Sequence, residues 1–324
     1  ALIWLKRSSL ILERIIKYDG PLEKLCKKNS IDLVWFVSGG CFEILDTPYI
    51  ATVYDLQHRV EPCYPEISAN GIWAGRELYH RYFLSRASYV IVGTEVGKQE
   101  VSFFYQVPKD RIFKLPHPTP TAFLNFKNKN IDNKIFKIPK DYILYPAQFW
   151  SHKNHINLLH AIKLLNEKHN IKINLVLTGS DKGNLAYVKN EIKKLELQDQ
   201  VFILGFVSKS DLANLYLNAS MLAYVSLCGP ENLPPLEAFI MKCPVVASKI
   251  RGSEEQLSDC VLFCDPKNPT DIAKKIYQLL NDKNLKNVLI EKGYKRGISW
   301  TSKDFVKGVF KILDEFKNVR INWN

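Results

Sequence analysis

The chain has 324 residues, 46% apolar and 24% charged, with a formal charge of +12. At 100–200 residues per domain that is about two domains with a sizeable core. It is not the composition of a collagen-like chain, a disordered tail or a membrane bundle, and no apolar run approaches the roughly 20 residues of a bilayer span. The basic excess is split evenly, +6 in residues 1–140 and +6 in residues 141–324, with Lys24, Lys27 and Lys28 its densest group. A nucleic-acid footprint clusters its charge on one element, so no nucleic-acid partner is expected.

The N-terminal run Ala1–Leu5 is apolar only briefly and lacks the flanks of a secretory signal. The chain does not begin with Met, so its first domain is expected to be incomplete at its start. Residues 32–37 and 49–53 predict strands, residues 73–86 a long helix, 89–92 a strand, 95–105 a helix and 112–115 a strand. The Pro-rich Pro116–Pro120 and the Lys/Asn-rich Asn125–Lys140 then predict a linker. Two domains, 1–135 and 136–324, are expected on either side, with a ligand cleft between them.

The second half repeats the pattern. Strands are expected at 142–145, 173–177, 201–204, 221–225, 244–247 and 261–263, with helices at 155–167, 184–197, after the capping box Ser208-x-x-Asp211, and from Pro235. Short apolar strands alternating with helices predict buried parallel sheets covered on both faces. A last helix, capped by Thr301-x-x-Asp304, carries Phe305, Val306, Val309, Phe310, Leu313 and Phe316 on one face. That face needs a partner: the second domain's own surface, or the first domain if the helix crosses back.

The chain has no G-x-G-x-x-G, P-loop, G-x-S-x-G or H-E-x-x-H. Its seven cysteines (26, 41, 63, 228, 243, 260 and 264) are odd in number and form no C-x-x-C pair. That speaks against a disulfide framework and a zinc site, and for a reducing cytosol. His152 and His155 lie three apart, but nothing completes a ligand set, so a solvated helix end is the expectation and no metal site is assigned.

Three segments concentrate chemistry. Tyr145–Asn154 joins a strand to a helix start and places Lys153 where backbone N–H groups favour anions. Ser226–Phe239 runs from a strand through a tight loop into a helix. There Glu237 is expected in the first turn, able to complement the helix dipole or to accept from ligand hydroxyls, and Asn232 and Leu233 would point amides at a phosphate or sugar. Thr52–His58 ends a strand of the first domain. His58 is expected either in the cleft or as a loop histidine satisfied by its neighbours.

The second half also carries, in order, Trp150-x-x-Lys153-Asn154, Leu177-Thr178-Gly179, Gly205-Phe206-Val207, Leu233-Pro234-Pro235-Leu236-Glu237-Ala238, Cys243–Ser248 and Asp265-Pro266. In this order and spacing it resembles the family 4 glycosyltransferases of the GT-B fold. The first half is similar from about residue 31, through Asp55–His58 and Val92–Glu95. The resemblance implies two Rossmann-like, doubly wound parallel-sheet domains facing a cleft. It also implies transfer of a sugar, with retention and without metal or cofactor, from a UDP- or GDP-linked donor to a glycan or lipid-linked acceptor hydroxyl. By this resemblance Lys153 would neutralise the diphosphate, Gly205, Phe206 and Val207 would border the base, and Glu237 would bind the ribose. The amides of Asn232 and Leu233 would hold diphosphate and sugar, with Gly179 lining the site. Tyr54, Asp55 and His58 would meet the transferred sugar or acceptor.

Departures from the family are part of the pattern. Gln148 stands where the family often has an arginine, so more of the diphosphate charge falls to Lys153. Gly229 stands where a donor-sugar carboxylate is common, with Glu231 two residues on as its substitute. Tyr54 replaces a usual histidine, and the family's opening strand and glycine-rich loop have no counterpart. Two other readings keep the fold: a non-catalytic nucleotide-binding domain pair, and a sugar-nucleotide epimerase or phosphorylase. A phosphorylase lacks its lysine constellation here. The cytoplasm is the expected compartment, and the net charge permits peripheral contact with a membrane, although no basic amphipathic helix stands out.

Overall fold

The computed structural model describes residues 19–37, 43, 45–126 and 138–323. The first sheet holds β1 (Val34–Phe36), β2 (Tyr49–Val53), β3 (Tyr89–Val92) and β4 (Ile112–Lys114), all parallel in the order β1-β2-β3-β4. Its helices are α1 (Pro21–Lys28), α2 (Gln57–Val60), α3 (Pro65–Ser68), α4 (Ile72–Arg86) and α5 (Glu95–Tyr105), whereas α6 (Thr121–Leu124), which follows β4, buries Phe123 edge-on to Tyr216 in the second domain's core. The period-2 alternation of a strand sends β2 side chains to opposite faces. Tyr49, Ala51 and Val53 pack with Phe83 and Leu84 of α4 and Val101 of α5. Ile50 faces the other way, with Ile91 of β3.

The second sheet has six parallel strands in the order β10-β9-β8-β5-β6-β7. They are β5 (Tyr142–Pro146), β6 (Asn174–Thr178), β7 (Val201–Gly205), β8 (Met221–Tyr224), β9 (Val245–Ser248) and β10 (Leu262–Cys264). Between and after them come α7 (His155–His169), α8 (Leu185–Lys194), α9 (Lys209–Asn218), α10 (Leu233–Ile240), α11 (Ser253–Leu257), α12 (Pro269–Asn281) and α13 (Lys283–Ser299). Strands β5, β6, β8 and β9 are buried along their whole length or nearly so, which is why they read as unbroken apolar runs. Chain order reverses between β5 and β8. A crevice opens at such a switch point, outside the carboxyl ends of the strands.

The last helix, α14 (Ser302–Arg320), starts at a capping box in which Thr301 and Asp304 hydrogen-bond reciprocally. It lies on the first sheet. Val309 and Ile312 are buried against Ile50 and Ile91, and the Phe305 ring stacks on Trp35 at 6.3 Å. At Gly308 an added Cβ would lie 2.5 Å from the Leu115 side chain, so the helix sits close against the chain leaving β4. Burying Val309 and Ile312 stabilises this contact by roughly 1.5–3 kcal/mol each.

Some sequence expectations shift. The boundary expected between residues 135 and 136 lies outside the described residues. Helix α10 begins at Leu233, not Pro235, because a proline within the first turn gives up only an N–H that has no helical partner. Glu237 therefore falls beyond the first turn. Helices α12 and α13 were not among the expected elements.

Candidate active site

After β5 the chain makes one 3-10 turn, Ser151–Lys153, and enters α7 through Asn154 in the left-handed region at φ 61°. The Asn154 side chain donates to Val225 O at 2.9 Å and Pro266 O at 2.7 Å. These bonds tie the β5 loop to the chain leaving β8 and β10. Lys153, half-buried, donates from Nζ to the Tyr224 hydroxyl at 3.1 Å, and that hydroxyl donates to Asn232 Oδ1 at 2.9 Å. The cation and the α10 N-terminus thus face each other across the switch point, where negative charge is favoured.

The loop entering α10 is held from within. Gly229 has φ +114°, and its carbonyl accepts from Asn232 Nδ2 at 2.9 Å. The Asn232 amide donates to Gln256 Oε1 at 2.9 Å, while Gln256 Nε2 donates to the Asn232 carbonyl at 3.0 Å. The amide expected to reach a diphosphate is therefore engaged by a glutamine of α11. Leu233, the first residue of α10, is exposed. One turn further on, Glu237 Oε2 accepts from the Tyr216 hydroxyl at 2.9 Å. Burial raises the Glu237 pKa, while Tyr216 and Lys209 pull it part of the way back.

The other expected lining residues surround this point. Gly179 has φ +141°, and an added Cβ would fall 2.3 Å from Ala147 O, so only glycine lets the β6 loop approach the β5 loop. Gly205 ends β7 at φ +69°; Phe206 beyond it is 87% exposed and Val207 is half-buried. Gln148 is exposed and accepts from Trp150 Nε1 at 2.9 Å.

The first domain forms the opposite wall. The Tyr54 ring stacks on His117 at 5.1 Å, and its hydroxyl donates to Val37 O at 2.6 Å. Asp55 Oδ1 accepts from Arg76 Nη2 at 2.6 Å and from the Gln57 amide at 3.0 Å, so it fixes the start of α2. Burial works to raise its pKa, but Arg76 and the Gln57 amide overcome this and hold it below the usual range. His58 corrects the role the resemblance implied and takes the other expected place, among its neighbours. It is 0% exposed, with Nε2 3.0 Å from the Tyr105 hydroxyl and 3.4 Å from Glu77 Oε2, and burial lowers its pKa to about 4. The helical turn of α2 directs it inward, so it meets neighbours and not a sugar.

Three glutamates cross the cleft. Glu66 of α3 accepts from the His152 amide at 2.9 Å and lies 2.6 Å from His152 Nδ1. Glu255 of α11 accepts from the Glu95 amide at 2.8 Å and pairs with Lys114 at 2.8 Å. Glu231 reaches away from the switch point to the first domain, where Oε1 accepts from the His117 amide at 2.8 Å. Its Oε2 occupies the space a Cβ on Gly93 would need, 1.3 Å away. Burial pushes the Glu231 pKa up to about 7, against the pull of the His117 amide. Beside these contacts a cavity of about 530 Å³ separates α2 and α5 from the loops after β8, β9 and β10.

Among the described residues no group of three or more His, Cys, Asp or Glu is placed to hold a metal ion. His152 is engaged by Glu66, and His155 is buried against the Phe149 ring at 4.6 Å, so the two do not act together. Sequence reasoning missed Glu66, His117, Tyr216, Tyr224, Glu255 and Gln256, and gave Gly93, inside the Val92–Glu95 motif, no role. Gly93 and Tyr224 carried a positional signal, one immediately after an apolar strand and the other at the end of one.

Two parallel-sheet α/β domains facing a cleft define a GT-B fold. Within that class, residues 127–296 match the family of glycosyl transferases group 1, and the chain belongs to that family. It is 26% identical over 195 residues to the O-antigen chain mannosyltransferase RfbU of Salmonella typhimurium, covering 59% of this chain and 52% of that one. It is 24% identical over 213 residues to the O-antigen chain mannosyltransferase B of Escherichia coli, covering 65% and 56%. The chain thus spans about half the length of these relatives. A glycosyltransferase from Rickettsia africae superposes with a TM-score of 0.71 at 19% identity, covering 93% of this chain and 80% of that one. HepE of Anabaena, solved with UDP and glucose, gives 0.69 at 15% identity, covering 92% and 83%. No helix among the described residues is long and apolar enough to cross a membrane.

Proposed function

We propose that this chain transfers a sugar from a nucleoside-diphosphate sugar to an acceptor hydroxyl in the assembly of a glycan, with retention at the anomeric carbon. The observation that carries this reading is the meeting of Lys153 and the α10 N-terminus at the switch point, with Glu237 one turn along the same helix. Fixed positive charge at the leaving diphosphate acts on the charge that develops in the transition state, and such placement is usually the largest single catalytic contribution. On this reading Glu237 accepts from ribose hydroxyls through the oxygen that Tyr216 leaves open. Phe206, exposed beyond Gly205, offers a face to the base, and Tyr54 meets the sugar or acceptor. Glu231 and Asp55 act by shaping the cleft, whose closure keeps water from the donor.

Family membership and the O-antigen mannosyltransferase relatives support a glycan acceptor, proposed here as free or lipid-linked, and the UDP complex of HepE supports a nucleoside-diphosphate donor, proposed as UDP- or GDP-linked. The reaction as proposed draws on no metal or cofactor. The cytoplasm is the proposed compartment, in keeping with six free cysteines among the described residues. Peripheral membrane contact would serve a lipid-linked acceptor. One observation favours a nucleotide-binding pair without transfer: Gly229 supplies no carboxylate to a donor sugar, and Glu231 faces the other domain.

The test is a thermal-shift series with UDP, GDP and their sugars on the wild type, Lys153→Ala and Glu237→Ala. Stabilisation by one nucleotide, lost in both variants, is expected. A wild type unmoved by every nucleotide removes the donor site. Sugar transfer or donor hydrolysis then separates an enzyme from a binding pair.

A further inference from the structure

A lysine ammonium is a point charge on a flexible four-carbon stem, so where it acts depends on what holds it. We infer that Tyr224 is the positioning residue for Lys153, an inference that rests on the donor-site reading above. Tyr224 ends β8 almost fully buried, its ring edge-on to Tyr145 at 5.6 Å. A phenol carries one hydrogen, and here that hydrogen goes to Asn232 Oδ1 at 2.9 Å. The oxygen is left to accept from Lys153 Nζ at 3.1 Å, and the ammonium also lies 5.6 Å from the centre of the Tyr224 ring.

The far end of this chain is equally fixed. Asn232 is bound through its side chain to Gly229 O and through both backbone groups to Gln256. The near end is fixed too, because the Lys153 carbonyl accepts from the Tyr145 hydroxyl. The links Lys153–Tyr224–Asn232–Gln256 therefore join the β5 loop to the β8 loop and α11. They set the distance between the cation and the α10 N-terminus. Two ammonium hydrogens remain for diphosphate oxygens. The residue acts through Lys153 and not on the donor itself, and it stands in the second domain, where Gln148 and Gly229 supply no charge.

The experiment titrates the full chain with UDP and GDP, and with uridine and guanosine, using the wild type, Tyr224→Phe, Lys153→Ala and the double variant. Tyr224→Phe is expected to weaken the diphosphate that the wild type binds by about tenfold, the effect of one lost hydrogen bond to a charged group. It should leave the matching nucleoside unchanged and add no loss in the Lys153→Ala background. A merely structural role would weaken nucleoside and diphosphate alike. Diphosphate affinity equal to wild type, an equal loss for the nucleoside, or independent losses in the double variant overturns the inference. A wild type that binds neither diphosphate overturns the donor-site reading and this inference with it.

Discussion

Glu231, in the second domain, accepts the backbone N–H of His117, in the first, at 2.8 Å. The carboxyl is buried at that contact, and its pKa is pushed up to about 7 from an ordinary 4.5. A buried acid with a raised pKa favours the closed cleft most fully below its ordinary pKa, and that advantage is lost as pH rises toward 7. The loss is on the order of 3 kcal/mol. Glu231→Gln mimics the protonated acid at every pH. Melting temperatures of the two proteins should agree near pH 4, below the ordinary pKa, and diverge up to pH 7 in favour of the variant. The gap should then stay level. Parallel curves from pH 5 to 8 would show that Glu231 does not titrate there.

The same carboxyl explains why residue 93 is glycine. An alanine there would place its Cβ 1.3 Å from Glu231 Oε2, so the glutamate would have to leave its pocket. Gly93→Ala should destabilise the protein by roughly 1–3 kcal/mol, the range of an overpacked contact. In a Glu231→Ala background the same substitution should cost almost nothing. Denaturant titration of the four proteins measures this coupling, and equal costs in both backgrounds would contradict it.

Much of the fold was legible because it depends on local apolar runs. Residues 142–146, 174–178 and 245–248 are buried strands whose sequence admits little else. The positions of Gly179, Gly205 and Lys153 in the fold follow from the same local signals, since each stands at a strand end or just before a helix. For His58 the sequence left two places open, the cleft or a site satisfied by neighbours, because a four-residue helix leaves no periodicity and its partners Glu77 and Tyr105 come from α4 and α5. Nor could the sequence reveal that the Asn232 amide is taken by Gln256, or that Glu66, Glu231 and Glu255 each accept from the opposite domain. Those bonds depend on how two domains face each other, and no spacing along the chain records that.

The packing of α14 on the first sheet makes the C-terminal helix part of the first domain's core. Ile312 is 1% exposed, against Ile50 and Ile91. Ile312→Ala should cost about 2–5 kcal/mol. Hydrogen exchange should show lost protection in β2 and β3 while β5 and β6 keep theirs. Protection lost uniformly over both sheets would mean that the helix does not belong to one domain's packing.

Lys153 and Glu237 are expected to act on different parts of one ligand, and this separates them experimentally. Lys153 faces the helix start with a cation, whereas Glu237 offers a carboxylate oxygen suited to a pair of hydroxyls. Lys153→Ala should weaken a nucleoside diphosphate about tenfold to a hundredfold and leave the nucleoside untouched, since charge-assisted hydrogen bonds are worth roughly 1.5–3 kcal/mol. Glu237→Gln should weaken both forms by similar factors, because the ribose is common to them. Calorimetric titration of each variant with both ligands gives the four ratios. If Glu237→Gln discriminates between the two forms as Lys153→Ala does, the ribose assignment is wrong and the carboxylate lies nearer the phosphates than its place on α10 implies.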